Sequence, residues 1–266
     1  MHRCIFPIWG QERPFAVPED AVDKEHFKES TDGNERITDV SEPTLSFFPA
    51  SGPGVHPALL ICPGGGYSHL SWLVEGLDIA GLANLAGISA FVLKYRCPQR
   101  REAAHADAAR AMRLIRHRAQ EFTICPEKVG AIGFSAGAHL AATISAPANP
   151  VPYPAIDAAD ECSFRPNFLA LIYPAYLADD QLKLAPEFRI DEATPQTFLV
   201  QSENDSVRVE NSLAWYWELK KHQIPAEMHL YPDGGHGYGL LRTGSAASAW
   251  GEATSAWLKR INGIPR

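Results

Sequence analysis

Several short stretches of this chain carry residue types that could share one piece of chemistry, the transfer of an acyl group through a serine. Gly133-Phe134-Ser135-Ala136-Gly137 fits the pattern G-x-S-x-G, with an apolar run before it and the small-residue run 138–146 after it. A serine presented as a nucleophile must stand on a tight turn from strand to helix, where glycines on both sides relieve clashes with neighbouring backbone. Its hydroxyl is then exposed, and the helix dipole favours the anion that develops beside it. Such a string arises by chance about 0.1 times in a chain of this size and composition, so its setting carries the inference. The competing reading is an ordinary serine in a glycine-rich turn.

Cys62-Pro63-Gly64-Gly65-Gly66-Tyr67 follows the strand-like run 58–62. Acyl transfer needs backbone N–H groups aimed at a tetrahedral oxyanion, and glycines let the chain approach closely enough. Gly65 and Gly66 are the expected donors, joined by the N–H of Ala136 just after the nucleophile. A flexible loop or a phosphate-binding loop would be equally glycine-rich, but no Lys-Ser or Lys-Thr follows as a P-loop requires.

A serine needs a base, and the base needs an orienting carboxylate. His236 lies in Gly234-Gly235-His236-Gly237-Tyr238-Gly239, just after a strand ending at Tyr231, and Asp205 lies shortly beyond a strand ending at Gln201. His236 would take the proton of Ser135 and return it to a leaving alcohol, while Asp205 fixes the imidazole tautomer and stabilises its charged form. The chain holds ten histidines, and most histidines are core or surface residues. His236 is singled out by its position and glycine setting, whereas His229 falls inside a strand and His222 at a helix end. Glu203 and Asp233 rival Asp205, which is favoured because it heads the next helix where the loop tip should be.

Other residues have plainer readings. Asp107 and His105 hint at a metal pair, yet no third ligand has suitable spacing, so no metal is expected. Asp107 then serves a helix dipole or a buried hydrogen bond. Trp215, Tyr216 and Trp217 are read as packing a helix against a sheet. Tyr67, Trp72 and Tyr238 flank the glycine loop and the histidine and are the expected substrate contacts, although packing would account for them as well.

The elements that must position these residues alternate along the chain from residue 37. Strands are expected at 44–48, 58–62, 89–95, 128–133, 168–173, 197–201 and 226–231, by their apolar, β-rich runs. Helices are expected at 73–86, 102–122, from 136, at 207–222 and at 246–261. In the second of these, Ala104, Ala108, Ala111, Met112, Ile115, Ala119 and Phe122 recur at intervals of three and four, while Arg110, Arg113 and His117 occupy another face. This alternation implies an α/β fold with a mostly parallel sheet and helices on both faces. Ligands bind at the carboxyl ends of strands in such sheets, so the four candidate turns should converge on one rim.

Size and composition set outer bounds. The chain's 266 residues suit one large α/β domain, 45% of them are hydrophobic, and the net charge of -7 comes without any basic stripe. Nucleic acid is thus a poor partner. No segment approaches the ~18 apolar residues of a membrane span, and the first ten residues lack a secretory h-region, so a soluble, cytoplasmic protein is expected, with a secreted or periplasmic one open if a leader has been removed. The five cysteines, odd in number and without C-x-x-C spacing, indicate neither a disulfide framework nor a zinc site. A single domain over 1–266 is expected, with residues 1–36 as an N-terminal extension that could lie over the site. Proline-rich stretches at 147–154 and around Pro14 and Pro18 read as loops.

At these motifs the chain resembles the acetyl-xylan esterase and feruloyl-esterase-like branch of the α/β-hydrolase superfamily, relatives of the hormone-sensitive-lipase and prolyl-oligopeptidase-like enzymes. The resemblance runs from about Ile37 to the end. It is carried by Pro63-Gly64-Gly65-Gly66-Tyr67, Glu75-Gly76, Ala90-Phe91-Val92-Leu93-Lys94-Tyr95-Arg96, the Ser135 motif, Val209-Glu210-Asn211-Ser212-Leu213 and the His236 motif. It implies the α/β-hydrolase fold without a large cap domain, whose triad order Ser, Asp, His is the one found here. It also implies hydrolysis of short acyl esters, often acetyl groups on carbohydrates, through an acyl-serine intermediate and without a cofactor. Two positions depart from the relatives. Pro63 replaces the histidine of lipase-like His-Gly-Gly-Gly, as is normal for this branch, and Gln201 and Asn204 replace a histidine and an aspartate ahead of Asp205, which could alter the aspartate's hydrogen bonds.

A feruloyl or general carboxylesterase is the near alternative. A peptidase is less favoured because too few residues precede the core for a propeller. About two dozen residues separate Tyr173 from Thr197, little material for a lipase lid. A non-catalytic binding protein on the same scaffold would be expected to have lost a triad member.

Overall fold

The computed structural model describes residues 4–10, 13–28, 30–148, 153–241 and 243–265. Parts of the N-terminal extension (1–3, 11, 12 and 29) and of the proline-rich loop (149–152) lie outside the described residues.

Eleven strands occur among the described residues: β1 Cys4–Pro7, β2 His26–Lys28, β3 Arg36–Thr38, β4 Thr44–Phe48, β5 His56–Cys62, β6 Leu70–Ser71, β7 Ser89–Lys94, β8 Ile124–Phe134, β9 Phe168–Ile172, β10 Gln196–Ser202 and β11 Ala226–Tyr231. Eight form one sheet in the order β1-β4-β7-β5-β8-β9-β10-β11. The pairs from β7 to β11 are parallel, and β1 and β4 join antiparallel at one edge. The central strands are near-continuous apolar runs because both of their faces are covered. Ala58 through Cys62, Ala90 through Leu93 and Phe168 through Ile172 are all buried.

The helices are α1 Asp78–Leu85, α2 Arg101–His117, α3 Ala119–Phe122, α4 Ala136–Ser145, α5 Glu210–Lys221 and α6 Trp250–Asn262. α1 touches α6, while α2 touches α4, and each pair lies against strands of the large sheet. The result is the α/β-hydrolase fold, with helices on both faces and, among the described residues, no large cap. Between β9 and β10 the chain forms turns and isolated bridges but no helix.

The expected helices are subdivided. Residues 73–77 form a π-helical turn ahead of α1, and 102–122 breaks after His117 into α2 and α3, with Thr123 in the left-handed region at φ 55°. Short 3₁₀ geometry precedes α6 at Ala246–Ala249. Strands β2, β3 and β6 form a separate three-stranded sheet that sequence reading did not anticipate. Trp215 is fully buried, Tyr216 packs on the core, and Trp217 is exposed beneath the Lys221 ammonium. No helix among the described residues is long and apolar enough to cross a membrane.

Asp107 has the structural role. Its buried carboxylate accepts hydrogen bonds from the Arg96 guanidinium (2.7 Å), the Arg96 N–H (3.0 Å) and the Trp9 indole (2.6 Å). That set ties the start of the chain to β7 and α2.

Candidate active site

Ser135 sits between β8 and α4 with φ 51° and ψ −117°, a conformation that L-residues avoid and that the surrounding contacts must hold. The glycine requirement is steric. A Cβ on Gly133 would lie 2.2 Å from the Gly137 carbonyl oxygen, and one on Gly137 would lie 2.1 Å from that of Cys62. The serine's N–H donates to the Ile172 carbonyl at 3.0 Å, anchoring the turn to β9.

The three side chains expected to meet do so. The Ser135 hydroxyl donates to His236 Nε2 at 2.8 Å, and His236 Nδ1–H donates to Asp205 Oδ2 at 2.9 Å. Asp205 has a fully buried carboxylate, so its remaining acceptor sites need partners. Val207 N–H supplies one at 2.7 Å and Gln201 Nε2 another at 3.0 Å. Gln201 is fully buried and is held by the Ser212 hydroxyl at 3.1 Å. Gln201 thus bears directly on the aspartate's hydrogen bonding. Asn204 accepts from Gly235 N–H at 2.9 Å and steadies the histidine loop. Of the rival carboxylates, Asp233 accepts from Ala246 N–H at 2.6 Å as a cap, and Glu203 is exposed.

The glycine loop faces the same space. Gly65 (φ 128°) and Gly66 (φ 63°) line a cleft of about 400 Å³ with Ser135 and His236. Neither amide has an acceptor among the described residues, and Ala136, first in α4, has no carbonyl to bond within its helix. All three amides thus lack a backbone acceptor among the described residues.

The aromatic residues expected to touch substrate do not line this cleft. Tyr67 is 1% exposed. Its hydroxyl donates to His139 Nδ1 at 2.7 Å, and His139 Nε2–H donates to Glu187 at 3.0 Å, so Tyr67 pins the glycine loop to α4. Trp72 and Tyr238 are also buried in the core, where Tyr238 packs edge-on against Tyr173 at 4.6 Å. All three pack in the hydrophobic core.

The cleft wall is instead polar: Asn34, Arg36, Ser68, His69, Ser71 and Glu75. Asn34 and Arg36 come from the extension and β3, brought to the rim by the pairing of Arg36 with Ser71. Nothing local in the sequence marks them. Ser68 donates to the Gly65 carbonyl at 2.9 Å, so it accepts from His69 Nδ1–H at 3.0 Å, which leaves His69 Nε2 as an acceptor. Partial burial and the nearby Lys28 and Arg36 hold the His69 pKa below its ordinary value and favour that neutral form. Glu75 had a legible signal, one carboxylate inside the apolar run Leu73-Val74-Glu75-Gly76-Leu77.

Such a relay on a strand-to-helix turn of this sheet is how serine hydrolases of the α/β-hydrolase fold are built. Residues 82–264 match the prolyl oligopeptidase family, and the chain belongs to that family. It is 30% identical over 222 residues to an acetylxylan esterase of Xylanibacter ruminicola, covering 74% of this chain and 43% of that protein. It is 31% identical over 209 residues to endo-1,4-beta-xylanase B of Butyrivibrio fibrisolvens, covering 67% and 32% respectively. The chain therefore spans less than half the length of these curated relatives. Among solved structures, an acetyl ester-xyloside bifunctional hydrolase from Caldicellulosiruptor lactoaceticus superposes with a TM-score of 0.78 at 29% identity, covering 99% of this chain and 97% of that one.

Proposed function

We propose that this protein is a serine carboxylesterase that removes short acyl groups, acetyl foremost, from carbohydrate esters. The observation that carries the reading is the Ser135-His236-Asp205 relay opening into a cleft walled by hydrogen-bonding side chains. Asn34, Arg36, Ser68 and His69 offer donors and acceptors of the kind sugar hydroxyls require, and no aliphatic, phenylalanine, tyrosine or tryptophan side chain of the kind a long acyl chain needs is among the described residues that line the cleft. The esterase and xyloside-hydrolase names of its relatives agree with this substrate class.

In this mechanism Ser135 Oγ attacks the ester carbonyl carbon while its proton passes to His236 Nε2. The charge on the carbonyl oxygen is received by the Gly65, Gly66 and Ala136 amides, and Asp205 stabilises the imidazolium. Collapse breaks the bond to the sugar oxygen, which leaves with the proton from His236. Water then attacks the acetyl-serine by the same relay, releasing acetate and restoring the serine.

The test is acetate release from acetylated xylo-oligosaccharides, alongside hydrolysis of p-nitrophenyl acetate and of glycyl-prolyl-p-nitroanilide. The proposal expects turnover of both esters, none of the amide, and loss of ester turnover in Ser135→Ala. Amide cleavage without ester cleavage, or equal ester rates in wild type and Ser135→Ala, would overturn it.

A further inference from the structure

Glu75 is 3% exposed, and three donors converge on its carboxylate. Gly64 N–H donates to Oε2 at 2.8 Å and the Tyr173 hydroxyl to Oε1 at 2.9 Å. The Ser71 hydroxyl also bonds the carboxylate, and accepts from Asn34 Nδ2 at 2.8 Å. The Tyr173 hydroxyl in turn accepts from Gly239 N–H at 3.1 Å. One carboxylate thus joins the glycine loop, through Gly64, to the histidine loop, through Gly239.

The packing at both ends is tight enough to transmit position. A Cβ on Gly64 would lie 2.7 Å from Glu75 Oε2 and 3.0 Å from Ser135 Cβ, and one on Gly239 would lie 2.7 Å from the Val74 carbonyl oxygen. The backbone that presents Glu75 is the π-helical turn Leu73–Leu77, an irregularity that is frequent at functional sites. Burying a carboxylate is costly unless it is fully bonded, and here its bonds go to the two loops whose relative placement decides the chemistry.

We propose that Glu75 is a positioning residue: by fixing the Gly64 peptide and, through Tyr173, the Gly239 turn, it keeps the oxyanion amides and the His236 imidazole in register about Ser135. This rests on the esterase reading above. Glu75 touches no reacting atom in the proposed mechanism and acts through the loops it holds. Misplacing groups by about 1 Å costs roughly a hundredfold in rate, whereas substrate affinity, set by Arg36, Ser68 and His69 of the cleft wall rather than by the buried Glu75, should hardly change.

The experiment measures kcat and KM on p-nitrophenyl acetate for wild type, Glu75→Gln, Tyr173→Phe and the double variant, with urea unfolding of each. Glu75→Gln keeps the shape but leaves one acceptor oxygen for converging donors, and Tyr173→Phe removes one link of the same chain. The expected result is a fall in kcat of roughly ten- to a hundredfold in each single variant with KM within about twofold. The double variant should be little worse than the poorer single, because both break one connection. Unchanged kcat in Glu75→Gln, KM effects that match those on kcat, or losses that multiply would overturn the proposal. Should Glu75→Gln fail to fold, the kcat and KM of Tyr173→Phe decide the matter. A wild type no faster than Ser135→Ala would instead overturn the esterase reading, and the proposal with it, whereas an active wild type with unaffected variants defeats the positioning role alone.

Discussion

Replacing Gln201 by leucine removes an amide that works at three points inside the protein. Its Nε2 donates to Asp205 Oδ2 and to the Val207 carbonyl, both at 3.0 Å, and its Oε1 accepts from Ser212 at 3.1 Å. The bond to the carboxylate is worth about 2 kcal/mol and each neutral bond about 1 kcal/mol. Leucine at a fully buried position returns about 1 kcal/mol of apolar burial. The net loss is ~3 kcal/mol, a fall in Tm of roughly 6–12 °C for a chain of this size. Asp205 keeps its bonds from His236 and Val207 N–H but is less firmly oriented, so kcat should drop about tenfold, equivalent to ~1.4 kcal/mol of barrier, with KM unchanged. Calorimetry and steady-state hydrolysis of p-nitrophenyl acetate measure both. A variant with wild-type Tm and kcat would refute the reasoning that Gln201 supports the carboxylate.

Two further outcomes follow from buried groups away from the relay. Asp107→Asn leaves the fully buried Arg96 guanidinium without its counter-charge, and should cost ~3–5 kcal/mol in urea unfolding while kcat per folded molecule stays within about twofold of wild type. His105 is pushed down to about 4 by burial, and its Nε2 lacks a partner among the described residues. Its folded pKa lies below the unfolded one, so the stability linked to its neutral form is present above the ordinary histidine range. That contribution is lost as pH falls toward about 4, at about 1.4 kcal/mol per pH unit. His105→Gln should therefore show a shallower loss of unfolding free energy between pH 6.5 and 4 than wild type, and parallel slopes would contradict this.

The parts of the fold legible in the sequence were those made by one kind of local signal. The runs at Ala58–Cys62 and Phe168–Tyr173 are apolar because both sheet faces are covered, and α2 announces its buried face by its spacing. Ser135, His236 and Asp205 were legible because each needs its own residue type after a strand. What escaped depends on contacts distant in sequence. Strands β2, β3 and β6 span only two or three residues each and exist through mutual pairing, so Arg36 and Asn34 could not be placed at the cleft. Tyr67, Trp72 and Tyr238 adjoin the site in sequence, but their large side chains turn into the core while the small and polar neighbours face the cleft. Glu75 shows in the sequence as one carboxylate inside an apolar run, but its role arises from two loops that meet in space.

The most direct test of the relay is mass-spectrometric mapping after reaction with a fluorophosphonate, which forms a stable bond to an activated serine. The account predicts one adduct per chain, on the peptide holding Ser135, absent in Ser135→Ala and formed at least a hundredfold more slowly in His236→Ala by order of magnitude. An adduct on another residue, or labelling of Ser135 at an undiminished rate without His236, would contradict it.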